Sequence, residues 1–151
     1  MALITLDDLK NTQGVLLGLD PGTKTIGLAI SDATRLIATP LKTIKRTKFK
    51  QDAQELLAIY ENRNAVAMII GLPLNMDGSK GPRAQSVKDF CQNLLTIQNL
   101  PIFMWDERLS TQAVTRTLLE ADTSRKKRKE SVDKLAAGYI LQGVLDRLRA
   151  E

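Results

Sequence analysis

The stretch Val15–Ser31, VLLGLDPGTKTIGLAIS, decides the fold of this chain. Val15–Asp20 is a short apolar run closed by a Pro-Gly pair, which is typical of a buried strand that ends in a turn. Ile26–Ser31 has the pattern of a second strand, and the short turn between the two runs predicts an antiparallel hairpin. Asp20 is therefore expected at the carboxyl end of a buried strand.

Helical and extended patterns alternate after this hairpin. Ala65–Gly71 is apolar at every position, as expected of a strand that is buried on both faces. We predict six further elements and one charged loop: strands at Thr39–Ile44 and Ile102–Trp105, helices at Phe49–Asn62, Arg83–Ile97, Thr111 to about Glu120 and Ser131 to about Arg149, and a loop at Ser124–Glu130. A hairpin followed by such an alternation predicts an α/β fold in which helices flank a mixed sheet.

The composition bounds the kind of protein. A chain of 151 residues fits one ordinary domain. The net charge of +5 favours nucleic acid as a partner, although many basic proteins bind no polyanion. The single cysteine, Cys91, excludes an internal disulfide and fits a reducing compartment. With no apolar run near the ~20 residues that span a bilayer, and no readable secretory signal, we expect a cytoplasmic protein without a membrane span.

The chain contains no histidine. Its absence excludes Ser-His-Asp and Cys-His catalysis, and it excludes zinc sites that use histidine. A metal ion bound by this protein must therefore have oxygen ligands, which favours Mg²⁺ or Mn²⁺.

The hairpin turn is the first candidate site. Gly18–Thr25 (GLDPGTKT) almost fits the phosphate loop G-x-x-x-x-G-K-[ST], but Thr23 replaces the second glycine and a hairpin follows instead of a helix. One alternative is that Asp20 only caps a tight turn. The functional interpretation is a carboxylate at the strand tip, beside a turn whose Thr23 and Lys24 contact a substrate phosphate.

Charged residues also follow the last predicted strand, as Asp106-Glu107-Arg108. Ser110 or Thr111 would suit a helix N-cap, but capping does not explain the three charges before them. We interpret this cluster as a second part of the site, with Arg108 contacting substrate.

Asp133 is the third acidic candidate. At about 100° per residue it falls among the apolar positions Ala137, Ile140 and Val144 of the last helix, where a charge is costly unless it is paired or binds metal. The alternative is that Ser131 caps the helix, so that the helix dipole stabilises Asp133 in the first turn.

The basic run Arg125–Lys129 is either a solvated loop or a phosphate contact made by Arg125, Lys126 and Lys127. Three acidic segments, a basic surface and no histidine together suit phosphodiester hydrolysis. Metal ions activate water and stabilise the leaving oxygen without an imidazole base.

Four motifs in register resemble the YqgF (RuvX) family: GLDPGTKTIGLAISD at Gly18–Asp32, IIGLPLNMDGSKGPRA at Ile69–Ala84, DERLST at Asp106–Thr111 and SVDKLAAGYILQ at Ser131–Gln142. The resemblance implies a ribonuclease H-like fold and a nuclease that matures the 5′ end of precursor 16S ribosomal RNA in the bacterial cytoplasm. It assigns catalytic and metal-binding roles to Asp20, Glu107 and Asp133, with Asp106 second to Glu107.

The resemblance covers residues from about 15 to 148, so we divide the chain into an N-terminal appendage, residues 1–14, and a nuclease domain, residues 15–151. The absence of a spare apolar face favours a monomer or a weak homodimer. Three alternatives are a junction resolvase acting on DNA, a non-catalytic nucleic-acid binding module, and an ATPase domain of the actin and sugar-kinase type. We expect RNA to be preferred over four-way DNA junctions.

Overall fold

The computed structural model of the protein describes residues 3–73, 77–78, 81–107 and 125–150, with side chains of the last segment from residue 134 onward. Its strands are β1 (Val15–Pro21), β2 (Thr25–Ser31), β3 (Ala38–Lys45), β4 (Ala65–Leu72) and β5 (Ile102–Asp106). Its helices are α1 (Leu6–Lys10), α2 (Phe49–Asn62), α3 (Pro82–Ile97) and α4 (Arg125–Ala150). None of the described helices is both long enough and apolar enough to cross a membrane.

The five strands form one sheet in the order β3-β2-β1-β4-β5. The first three are antiparallel neighbours, as the predicted hairpin requires. β4 and β5 then run parallel to β1, with Leu19 opposite Ile70 and Gly71 opposite Trp105. The predicted mixed sheet is confirmed, and the carboxyl ends of the three parallel strands meet at one edge.

Alternation along β1 separates the core into two layers, because successive strand residues point to opposite faces. Leu17 and Leu19 pack with α2 and α3, whereas Leu16 packs with α4. Residues of β4 alternate in the same way, which explains why that strand is apolar at nearly every position. The sheet is thus the middle layer of an α/β/α arrangement.

The segment before β1 packs onto this domain. Thr5 and Asp8 form a capping box at the start of α1. Leu9 is fully buried in the α4 layer of the core. The Arg35 guanidinium donates to the carbonyls of Leu9 and Gly14, at 2.9 and 2.7 Å, and so ties this segment to the turn after β2.

The start of α4 corrects two predictions. The expected loop at Ser124–Glu130 is helical from Arg125 onward, and Ser131 lies inside the helix instead of capping it. Arg, Lys and Glu are good helix formers, and no Gly or Pro interrupts them, so the run continues the helix although it lacks an apolar period. The helix predicted at Thr111–Glu120 lies outside the described residues.

Candidate active site

Asp20 is the sixth residue of β1, next to the hairpin turn. The residue is only 4% exposed, although the chain leaves the sheet two residues later. A buried carboxylate needs compensating partners, since an isolated charge in the interior is costly. Its position at the carboxyl end of a central strand agrees with the prediction.

The pleat determines which residues share a face with Asp20. Gly18, two residues earlier, faces α4, because a Cβ on it would lie 2.9 Å from the Cβ of Leu141. Asp20 therefore faces α4 as well. On β4, Ile70 pairs with Leu19, and Gly71 is the next residue. Gly71 also faces α4, since a Cβ there would contact Ile140.

Asp106 and Glu107 lie on different faces of the sheet. Met104 and Leu72, the neighbours of Asp106 along and across the sheet, pack against the α2 and α3 layer. Asp106 therefore belongs to that face. Trp105 packs in the α4 layer. Glu107, directly after the strand, extends over β4 on the α4 side, where its carboxyl carbon lies 3.3 Å from the position that a Gly71 Cβ would take.

Asp20 and Glu107 thus lie on the same face of the sheet, with Gly71 between their strands. Asp20 is next to Gly71 across the β1–β4 pair, and neighbouring strands are about 4.8 Å apart. The Glu107 carboxyl reaches Gly71 from the β5 side. Two of the three predicted carboxylates therefore share one face of the sheet, while the neighbours of Asp106 belong to the opposite layer.

The third carboxylate belongs to α4, which runs antiparallel to β1. Ala137 and Leu141 lie over Gly18, whereas Leu148 lines the same cleft as Gly14 at the start of the strand. Asp133 is one helical turn before Ala137, so the backbone of α4 carries it toward the carboxyl end of β1. The structure describes the backbone of Asp133 but not its side chain.

The hairpin turn beside Asp20 is held by a residue that sequence reasoning missed. The Gly22 amide donates to Thr25 at 2.8 Å. Arg46 donates its backbone amide to Lys24 and its guanidinium to Gly22, and it lies over the Phe90 ring at 5.5 Å. No motif indicated this role, since Arg46 only follows the strand that pairs with β2.

The predicted substrate-binding residues form two groups, with Arg108 apart from both. Thr23 and Lys24 are exposed at this turn, where a phosphate could reach them. Arg125, Lys126 and Lys127 begin α4, but only their backbone is described. Arg108 lies outside the described residues.

The donor set fits a hard divalent cation. Carboxylate oxygens are the ligands that Mg²⁺ and Mn²⁺ prefer. Burial raises the pKa of the Cys91 thiol to about 12, so it offers no thiolate. Among the described side chains, which leave out Asp133, no three acidic or thiol groups converge on a metal position.

Comparisons with known proteins agree with this architecture. The RuvX family model, described as Holliday junction resolvase, matches residues 14–147. A Caulobacter vibrioides protein named as a candidate pre-16S rRNA nuclease is 53% identical, with 99% of each chain covered. A Cereibacter sphaeroides protein with the same name is 62% identical and covers 89% of this chain and 84% of its own.

Solved structures match the fold at low sequence identity. Thermus thermophilus RuvC, in complex with a Holliday junction substrate, has a TM-score of 0.56 at 14% identity, over 90% of this chain and 96% of its own. The yeast mitochondrial Holliday junction resolvase has a TM-score of 0.51 at 11% identity, over 96% and 86% of the two chains. These matches confirm the ribonuclease H-like α/β fold. From the family match and the close relatives, the chain belongs to the RuvX (YqgF) family.

Proposed function

We propose that this protein is a metal-dependent nuclease that hydrolyses phosphodiester bonds. The observation that carries the proposal is the placement of Asp20 and Glu107 on the same, α4-facing side of the sheet, at the carboxyl ends of β1 and β5. In α/β sheets this edge is where sites form. Family membership and the relatives' names support the same reaction class.

Asp20, Glu107 and Asp133 would hold the cation, which we propose to be Mg²⁺ or Mn²⁺. When bound, such an ion activates water and stabilises the leaving oxygen of a phosphodiester. Burial of Asp20 strengthens its attraction for a cation, because the carboxylate is removed from water. Thr23 and Lys24 would contact a substrate phosphate from the adjacent turn.

The corrected start of α4 supports Asp133 as a ligand. Asp133 is the ninth residue of the helix, beyond its first two turns. The dipole effect falls off within the first turn, so it gives little stabilisation to an anion at this position. With that alternative weakened, a role in cation binding accounts better for a carboxylate one turn before the buried Ala137.

We propose precursor 16S ribosomal RNA as the substrate, in the bacterial cytoplasm, and a monomer or weak homodimer as the active form. The relatives named for this RNA are 53–63% identical over most of the chain. The junction resolvases are only 11–14% identical, so they support the fold and not the substrate. A DNA junction resolvase remains the second candidate, because the family model bears that description.

The test compares wild type with Asp20→Asn on three substrates in Mg²⁺ or Mn²⁺: naked precursor RNA, the same RNA in an immature ribosomal particle, and a four-way DNA junction. We expect cleavage of the precursor by wild type and a loss of at least about 10³-fold in the variant, with the fold retained. Without divalent ions its stability should be unchanged or higher, since like charges nearby are relieved. Asp89→Asn, on α3 at the other face, is the matched control.

Three results would count against the proposal. Wild-type cleavage rates in a folded Asp20→Asn protein would contradict the catalytic role of this carboxylate, and misfolding would favour the turn-capping alternative. Symmetric junction resolution faster than RNA cleavage, and lost in Asp20→Asn, would replace the RNA substrate by DNA.

A further inference from the structure

We infer that Gly71 is a positioning residue for Glu107: the missing side chain leaves the space in which the Glu107 carboxyl lies against β4, beside Asp20. The inference rests on the proposed function for its activity readout. Its ion-binding readout is independent of whether the protein cuts nucleic acid.

The geometry is specific to this position. A Cβ on Gly71 would lie 2.5 Å from Cδ1 of Ile140, 3.2 Å from its Cγ1 and 3.3 Å from the carboxyl carbon of Glu107. Cβ atoms essentially never approach another heavy atom to 2.5 Å, so a side chain here requires movement. The Ile140 methyl and the Glu107 carboxyl are the groups that must move.

Conformational freedom does not explain this glycine. The glycines with positive φ among the described residues are Gly14 and Gly78, so the backbone at Gly71 suits any residue. The residues before it on the same face of β4, Ala67 and Ile69, carry side chains and are fully buried. Glycine occurs on this face where a carboxylate enters from the neighbouring strand.

Gly18 offers an instructive contrast on β1. There a Cβ would meet the Leu141 Cβ at 2.9 Å and the Ala137 carbonyl at 3.3 Å, atoms fixed to the helix backbone. Gly18 therefore allows the close approach of α4 as a whole. At Gly71 the nearest groups are side-chain ends, which can rotate away and leave the helix in place.

An alanine at position 71 would therefore displace side chains more than it would disturb the fold. Ile140 can relieve its overlap by rotating Cδ1 away, or a shorter residue at position 140 can remove that atom. The Glu107 carboxyl must move by a few tenths of an ångström or rotate away from Asp20. Catalytic groups tolerate displacements of about 0.5 Å, and a 1 Å error can cost about 10²-fold in rate. The expected defect is in cation binding and catalysis.

The experiment compares Gly71→Ala, Ile140→Val and the double variant with wild type. Valine lacks Cδ1 and so removes the 2.5 Å overlap while leaving the Glu107 contact unchanged. The measurements are thermal unfolding without divalent ions, Mn²⁺ affinity by calorimetry, and kcat and KM for RNA cleavage. Gly138→Ala is the control, since the atoms nearest to a Cβ there belong to Pro40, at 3.4 Å or more.

We expect Gly71→Ala to weaken Mn²⁺ binding about tenfold or more and to lower kcat about 10–100-fold with little change in KM. The double variant should recover the unfolding temperature but neither the Mn²⁺ affinity nor kcat. Recovery of Mn²⁺ affinity together with stability in the double variant would overturn the inference, because the defect would then be packing against Ile140.

The two proposals can fail separately. Suppose that the wild type binds Mn²⁺ but cleaves no nucleic acid, while the double variant binds Mn²⁺ more weakly than Ile140→Val alone. The positioning role of Gly71 then stands, and the nuclease proposal is wrong. A wild type that binds no Mn²⁺, or a Gly71→Ala variant with unchanged affinity, would overturn the positioning role.

Discussion

At the scale of single residues, the decisive feature is the pair Asp106-Glu107. The two carboxylates are adjacent in the chain, and the sequence resemblance favours Glu107 over Asp106 as the metal ligand. The pleat of β5 places Asp106 on the face of the α2 and α3 layer, whereas Glu107, directly after the strand, lies over Gly71 on the α4 face. These neighbouring residues therefore lie on different faces of the sheet, and Glu107 shares the face of Asp20.

This separation predicts unequal effects of two charge-neutral substitutions. We expect Glu107→Gln to lower kcat at least about 100-fold and to weaken Mn²⁺ binding, because it removes an oxygen anion beside Asp20. Asp106→Asn should change either quantity by less than about threefold. Rates of RNA cleavage and Mn²⁺ titration of both purified variants check this. A larger loss in Asp106→Asn would reverse the assignment.

At the scale of elements, α4 links the basic run to the candidate site. Arg125, Lys126 and Lys127 form the first turn of the helix that also carries Asp133. Each residue advances the helix by about 1.5 Å, so the basic turn begins about 12 Å from Asp133 along the axis. A nucleic-acid backbone passing the carboxylates could reach these cations.

Replacing Arg125, Lys126 and Lys127 together by glutamine should weaken binding to all nucleic-acid substrates alike. Each lost phosphate contact should flatten the slope of log affinity against log salt by about 0.7–0.9. Fluorescence anisotropy over a salt series measures the slope. The control is glutamine at exposed positions around α2, on the opposite face: Lys48, Lys50 and Arg63. Equal slopes in wild type and the α4 variant would show that the basic run is solvent-exposed and contacts no phosphate.

At the scale of the whole molecule, the segment before β1 is part of the packed structure. The family model begins at residue 14, yet Leu9 is fully buried and Leu3 pairs with Ile102. Leu9 packs near the amino end of β1, whereas Asp20 lies at its carboxyl end. Stability and catalysis should therefore respond separately to changes in this segment.

Leu9→Ala should lower the free energy of unfolding by about 2–5 kcal/mol, since it opens a cavity in the α4 layer. The kcat of the folded fraction should stay within about twofold of wild type. Denaturant unfolding and RNA cleavage at low temperature test both parts. Leu3 is 40% exposed, so Leu3→Ala should lower the free energy of unfolding by less than Leu9→Ala. A strong fall in kcat for folded Leu9→Ala would show coupling along β1.

Local patterns determined most of the fold. The helix predicted at Phe49–Asn62 has the same first and last residues as α2. The predicted bounds of β1 to β5 agree with the structure to within one residue at each end. Apolar spacing reports directly on which backbone conformation buries a side chain, so these elements were visible in short windows of sequence. The same windows placed Asp20 at a strand end. The prediction of a loop at Arg125–Glu130 was wrong, because a helical turn made of charged residues has no apolar periodicity that would indicate a helix.

Tertiary structure alone decided which groups meet. The proximity of Glu107 to Gly71, the assignment of Asp106 to the other layer, and the support of the hairpin turn by Arg46 join residues more than twenty positions apart. Such contacts depend on sheet order, strand register and the close approach of α4. None of these leaves a periodic trace in the sequence, because each is fixed by packing between elements distant along the chain.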